Sequence, residues 1–298
     1  MWEIGANSGG AWLPLILASA VGLSLYDICK KHSVAGNRSF TVLLITSASG
    51  FLATLATITY FGRLEQAVNL ASADIAKLIF KSIIVSSSWS LAYWALKTLP
   101  VTVMAPIRAT GPIWTTLAAL CIFSEVPTFM QTIGFIFAFA GCIAFSIAAR
   151  HEGFTMKSIS IVLAIGATLT GSASALYDKF LLSSAKLPAD AVLLWFMGCM
   201  TIIYAIATII TRRIDKTPFE WRWSIPLVGV LLAFSDFMYF QSIGTPDAKI
   251  SVLSTIRRSS VIGTFLIGGA VFRETNLLRK GIALVAILTG VVILCLHG

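Results

Sequence analysis

The sequence predicts an all-α polytopic membrane protein, built as ten transmembrane helices in two inverted five-helix repeats. Three observations carry that prediction. Of 298 residues, 57% are hydrophobic and 12% charged, against roughly 25% charged in an average soluble domain. Ten apolar runs are each long enough to cross a bilayer, which takes about 20 mostly apolar residues. Residues in the first half also recur in the second at a nearly constant offset.

The ten runs are 11–30, 40–61, 76–96, 99–123, 127–149, 158–182, 189–211, 223–243, 249–272 and 278–297. The first has no basic leader, since residues 1–11 contain Glu3 and no Lys or Arg. It is therefore expected to be a retained span rather than a signal peptide. Pro127 opens the fifth run, where a missing N–H is tolerated. Trp2, Trp12, Trp221 and Trp223 lie near run ends, as interfacial aromatics do.

Leu25-Tyr26-Asp27 recurs as Leu176-Tyr177-Asp178, at an offset of 151. Ile107-Arg108 recurs as Ile256-Arg257 at 149, and so do Thr115 and Thr264, Phe123 and Phe272, Glu125 and Glu274, and Gly141 and Gly290. The halves are read as 1–150 and 151–298. Five spans per half is odd, so the second half starts from the opposite side of the membrane. Such an inverted repeat is the usual build of a secondary transporter.

The stretch Tyr93-Trp94-Ala95-Leu96-Lys97, then Ala105-Pro106-Ile107-Arg108, Glu125 and Gly141, resembles the EamA family of the drug/metabolite transporter superfamily. The second half resembles it again through Arg257, Glu274, Lys280-Gly281 and Gly290. The resemblance implies a ten-helix carrier in a bacterial inner membrane, with a central cavity between its halves. It leaves the substrate open among amino acids, drugs, nucleotide sugars, sugar phosphates and other metabolites. It also implies both termini in the cytoplasm. The cation count points the other way: connections after odd-numbered spans hold 13 Lys and Arg and the opposite side six. By the positive-inside rule the termini lie outside, and the count is followed here.

Arg108 falls about 14 Å and Arg257 about 12 Å into its span at 1.5 Å per residue, and Arg258 adjoins the second. An arginine at that depth costs about 2.5–3.5 kcal/mol, so all three should face protein or a water-filled cavity. They either grip a substrate anion with a guanidinium fork or pair with Asp27, Asp178 and Asp236. Proline at 112 removes the donor for the Arg108 carbonyl, which breaks the helix at that depth. Asp236, with Tyr239 one turn on, is read either as an arginine's structural partner or as a proton-coupling site. Tyr26-Asp27 and Tyr177-Asp178, nearer the helix ends, are read as gate or cavity-rim pairs. Trp89 and Tyr93 form one aromatic face and, with Trp114, either stack a substrate or simply pack. Glu125 and Glu274 are expected to be structural or gating residues.

A net charge of +9 does not point to nucleic acid, because the cations sit in short connections between spans. Five scattered cysteines and three histidines without ligand spacing predict no metal and no cofactor. With no GxxxxGK[ST], HExxH or GxSxG motif and no His inside a span, an enzyme is not expected. The leading reading is a secondary active transporter of a small anionic or zwitterionic metabolite such as an amino acid, organic acid or phosphorylated metabolite. The alternative is a lipid-carrier or phospholipid-type flippase using the same basic cavity. Expected partners are a small-molecule substrate, membrane lipid and a coupling proton, with the chain a monomer or homodimer.

Orientation has a direct check. The connection holding Arg212, Arg213 and Lys216 should face the cytoplasm. A lone cysteine at Thr217, in a chain stripped of its own cysteines, should resist membrane-impermeant thiol reagents in intact cells. Ready labelling would reverse the assignment.

Overall fold

A computed structural model describes residues 12–111, 113–114, 118, 128–150, 158–213, 216–243, 256–257 and 259–296. Among these residues the chain is all-helical. The α-helices are α1 (Trp12–Val34), α2 (Ser39–Tyr60), α3 (Leu64–Val68), α4 (Ser72–Thr98), α5 (Val101–Ala109), α6 (Phe129–Arg150), α7 (Ile159–Lys179), α8 (Ala189–Thr211), α9 (Ser224–Ile243), α10 (Ser260–Val271) and α11 (Leu277–Leu296). A π-turn over Phe180–Ser184 extends α7. Five helical segments are long and apolar enough to cross a membrane: α1, α2, α4, Ile159–Leu182 and α8. Their outward residues are apolar too, as at Leu52, Ile202 and Ile209, which is the pattern of a helix surrounded by lipid.

The short α3 was not anticipated. It lies between the second and third apolar runs, where its buried Ala67 gives its carbonyl to the Trp195 indole N–H at 3.0 Å. In the fourth and ninth runs a turn residue, Thr110 and Ser259 respectively, interrupts the described helix. Helix α5 ends at Ala109 and α10 begins at Ser260.

The main contacts cross between the two halves of the chain. Helix α1 packs on α9 and α10, α4 on α7 and α8, α2 on α8 and α9, and α6 on α11. Small residues allow these approaches, as is general where lipid supplies no hydrophobic drive between helices. Ser19 and Ser235 donate to each other's carbonyls at 2.7 and 2.6 Å, joining α1 to α9. Ser88 donates to the Ala167 carbonyl at 2.7 Å, joining α4 to α7.

The α6–α11 crossing is close on both helices. A Cβ on Gly141 would lie 2.6 Å from the Ile287 nitrogen and 2.9 Å from the Ala283 carbonyl. One on Gly290 would lie 2.5 Å from both the Ala138 nitrogen and the Gly134 carbonyl. Backbone cannot yield as a side chain can. Gly290→Ala should therefore cost about 1–3 kcal/mol, read as a lower Tm of the detergent-purified protein. Gly166→Ala, whose Cβ would meet only Leu91 at 3.4 Å, should melt at or slightly above the parent temperature, because alanine favours helix. Equal melting of the two variants would contradict so tight a crossing.

Candidate functional site

The site begins with two breaks in helices. In the first, the Thr110 N–H reaches back to the Ile107 carbonyl at 3.2 Å, and the Ile113 N–H to the Thr110 carbonyl at 2.9 Å. The Thr110 hydroxyl donates to the same Ile107 carbonyl at 2.7 Å. In the second, Ser259 N–H bonds the Ile256 carbonyl at 3.0 Å and Ile262 N–H the Ser259 carbonyl at 2.8 Å. The Ser259 hydroxyl likewise donates to Ile256, at 2.6 Å. Three-residue bonds tighten a helix, and a hydroxyl bonded back to the preceding turn bends it. Arg108 and Arg257 each stand two residues before such a break. Trp114 braces the first, its indole N–H donating to the Thr110 hydroxyl at 3.1 Å. Pro112, Thr115, Glu125 and Arg258 lie outside the described residues.

The two ends of α5 are fixed differently. Glu274, just beyond α10, accepts the backbone N–H groups of Val101 at 2.7 Å and Thr102 at 2.9 Å, and also the Thr102 hydroxyl. A carboxylate there satisfies donors that a helix start leaves over and meets the positive end of its dipole. Lys280, fully buried, donates to the Thr102 hydroxyl at 2.8 Å. Lys31 closes the end of α4 by donating to the Leu96 and Leu99 carbonyls, each at 2.6 Å.

Arg108 Nη1 donates to Asp27 Oδ1 at 3.0 Å. Lys30 donates to the same oxygen at 2.7 Å and stands 4.3 Å over the Tyr26 ring. Thr264 donates to Asp27 Oδ2 at 3.4 Å. One carboxylate on α1 thus serves two cations and is tied to α10. The cations differ in exposure: the Lys30 side chain is 2% accessible and that of Arg108 42%. They line a cavity of about 210 Å³ between α1, α4, α5 and α7. Tyr26, Trp89 and Tyr93 form its aromatic walls, and Ala167, Gly171 and Ser174 of α7 its small-residue wall. The Tyr26 and Trp89 rings are 6.4 Å apart and tilted by 54°.

Arg257 is placed differently. It is ion-paired to Asp236 and lies 4.3 Å over the Tyr239 ring. Asp178 pairs with Lys81, which also stands 5.0 Å over the Phe196 ring. Tyr177 packs between Phe80 and Phe180, and its hydroxyl donates to the Lys77 carbonyl at 3.4 Å. The structure thus brings Arg108, Asp27, Tyr26, Trp89 and Tyr93 together, while Arg257, Asp236 and Tyr239 form a second cluster and Tyr177 and Asp178 a third. Tyr26 lines the cavity, and Asp27 beside it holds the cavity's two cations.

Two functional-looking residues, Lys30 and Lys81, and one partnership escaped the sequence reading. Lys30 is one helical turn after Asp27, a spacing that pairs side chains. Lys81 was counted with a connection but is the tenth residue of α4 and buried. The grip of Glu274 on α5 had no local signal, because the partners are 172 and 173 residues apart.

Apolar helices crossing one another, with ion pairs set between them, define an integral multi-pass membrane protein. Residues 10–147 match the model of the EamA-like transporter family, a member of the drug/metabolite transporter superfamily. No protein of curated function matches the chain. A solved crystal structure is similar over 93% of this chain and 95% of its own, with a TM-score of 0.62 at 15% identity. A likeness at that identity speaks for the fold alone.

Glu274→Ala removes the acceptor for two backbone donors and should destabilise by about 1–2 kcal/mol, the range of a lost helix cap. Thermal melting checks this. Unchanged melting would mean that α5 is held without the carboxylate.

Proposed function

We propose that the chain is a secondary active transporter that moves a small anionic or zwitterionic metabolite by alternating access, with Arg108 as its principal binding cation. The observation that carries this is the exposed Arg108 guanidinium, set at a helix break and opening on a cavity walled by both halves. Broken helices at membrane depth are tolerated where they line such a cavity, and carriers place substrate sites there.

The proposed architecture is ten spans in two inverted repeats, 1–150 and 151–298. Reciprocal contacts support it. Gly141 approaches Ala283 and Ile287, and Gly290 approaches Gly134 and Ala138; adding 149 to either member of the first set, or subtracting it, gives the second. The two breaks repeat bond for bond at that offset, from Ile107, Thr110 and Ile113 to Ile256, Ser259 and Ile262. A twofold relation of this kind lets the halves trade places between inward-open and outward-open shapes. Arg257 then stands where Arg108 stands in the opposite half, held by Asp236 and Tyr239. Arg258 is carried as a further candidate cation, Trp114 as the brace of the Arg108 break, and the two Tyr-Asp pairs as gates.

The proposed location is a bacterial inner membrane, with a coupling proton as cosubstrate and the chain a monomer or homodimer. A cavity of about 210 Å³ suits a small metabolite better than a lipid carrier.

Two substitutions test the roles, each assayed for melting and for transport in proteoliposomes loaded with candidate anions. Arg108→Lys keeps the charge but loses the fork. It should melt normally and transport at least about tenfold less, a loss of about 1.4 kcal/mol of binding. Asp236→Asn should lower the melting temperature, since Arg257 loses its partner. Normal transport by Arg108→Lys removes Arg108 from the site. Normal melting of Asp236→Asn, with transport that no longer depends on pH, makes Asp236 the coupling residue instead.

A further inference from the structure

We infer that the cavity at Arg108 takes a monoanion carrying a single planar ring, of the aryl-carboxylate class, rather than a dianion or an amino acid. The inference rests on the transporter reading and narrows its substrate class.

Charge comes first. Lys30 and Arg108 bring two positive charges to the cavity and Asp27 one negative, all within 3.0 Å of a shared oxygen. The neighbouring Arg257 is neutralised by Asp236. Among the described residues one positive charge remains, and a ligand with one negative charge balances it. A dianion would leave an excess charge in a poorly screened setting.

The donors and acceptors are asymmetric as well. Among the described residues Asp27 is the only hydrogen-bond partner of Arg108, through Nη1. Nη2 and Nε stay available to a carboxylate. Asp27 is already shared, since Oδ1 holds Lys30 and Arg108 and Oδ2 accepts from Thr264. An amino acid, being zwitterionic, would leave the cavity's net positive charge unbalanced and bring a third cation to that one carboxylate.

Shape completes the argument. Tyr26, Trp89 and Tyr93 give the cavity ring neighbours, and Ala92, Ala167 and Gly171 leave space beside them. An aromatic ring prefers offset or tilted ring neighbours such as these. A cavity of about 150 Å³ accommodates benzene, so about 210 Å³ has room for one ring and a carboxylate. It is smaller than the roughly 300–1,000 Å³ of pockets for larger ligands.

The test is calorimetric titration of the purified full-length protein with five probes: benzoate, acetate, L-phenylalanine, succinate and sulfate. Benzoate should bind at least about tenfold more tightly than each of the others. Trp89→Leu should erase most of the preference for benzoate over acetate while leaving acetate unchanged. Arg108→Lys should weaken both, and if that variant does not fold, the Trp89→Leu ratio still decides. Tighter binding of succinate, sulfate or phenylalanine that is lost in Arg108→Lys overturns this inference and leaves the transporter reading in place. Binding of none of the five, or binding indifferent to Arg108→Lys, overturns both.

Discussion

A charge inside an apolar medium must be partnered or wet, and this requirement organises the interior. Three charge clusters stand out in the described helices: Asp27 with Lys30 and Arg108, Asp178 with Lys81, and Asp236 with Arg257. Two are exact in number, one acid to one base. The first is not, because a single carboxylate answers two cations. A matched buried pair adds little net stability, whereas removing one partner is costly. The unmatched cluster is therefore where a missing anion would be most welcome, and it is the cluster that opens on the cavity. The break after Arg108 brings this about, since a straight helix would satisfy its backbone and leave no reason for the chain to turn there.

The same economy of polar groups holds the halves together. Ser19 with Ser235 and Ser88 with Ala167 bridge helices through carbonyls already engaged within their own helices. Gly22 and Gly171 permit those approaches, with Ser235 and Ser88 as their respective neighbours. Each end of the molecule has its own clasp. At one, Asn37 bonds both backbone groups of Glu220, and Arg222 donates to the His32 and Ala35 carbonyls. At the other, α3 docks on Trp195, and Arg63 faces Asp190 at 3.5 Å. These clasps lie at or near the ends of spans, where water competes and contacts can open and close cheaply. Motion between the ends is thus compatible with a firm middle.

Helix existence was legible in the sequence because lipid demands long apolar runs. Helices α2, α8 and α9 fall within a residue or two of their expected limits. The Asp236–Arg257 partnership was legible for the same reason, since a charge in such a run has few ways to be tolerated. The asymmetry between the two Tyr-Asp copies was not. Both read alike, yet Asp27 meets Arg108 while Asp178 meets Lys81. That choice depends on which helix crosses which, and no local pattern records a crossing. Lys30 was visible only as a lysine near a helix end, until its carboxylate partner and the Tyr26 ring gave it a place.

The central claim is that the halves exchange shapes about a twofold relation while Arg108 stays at the centre. Spin-label distances across both ends measure this most directly. One pair at Ala35 and Thr217 spans the Asn37–Glu220 end, and another at Val68 and Ser184 spans the α3 end. In lipid each pair should show two distances, and conditions that populate the longer one at one end should populate the shorter one at the other. A single fixed distance at both ends, or widening of both together, would contradict alternating access.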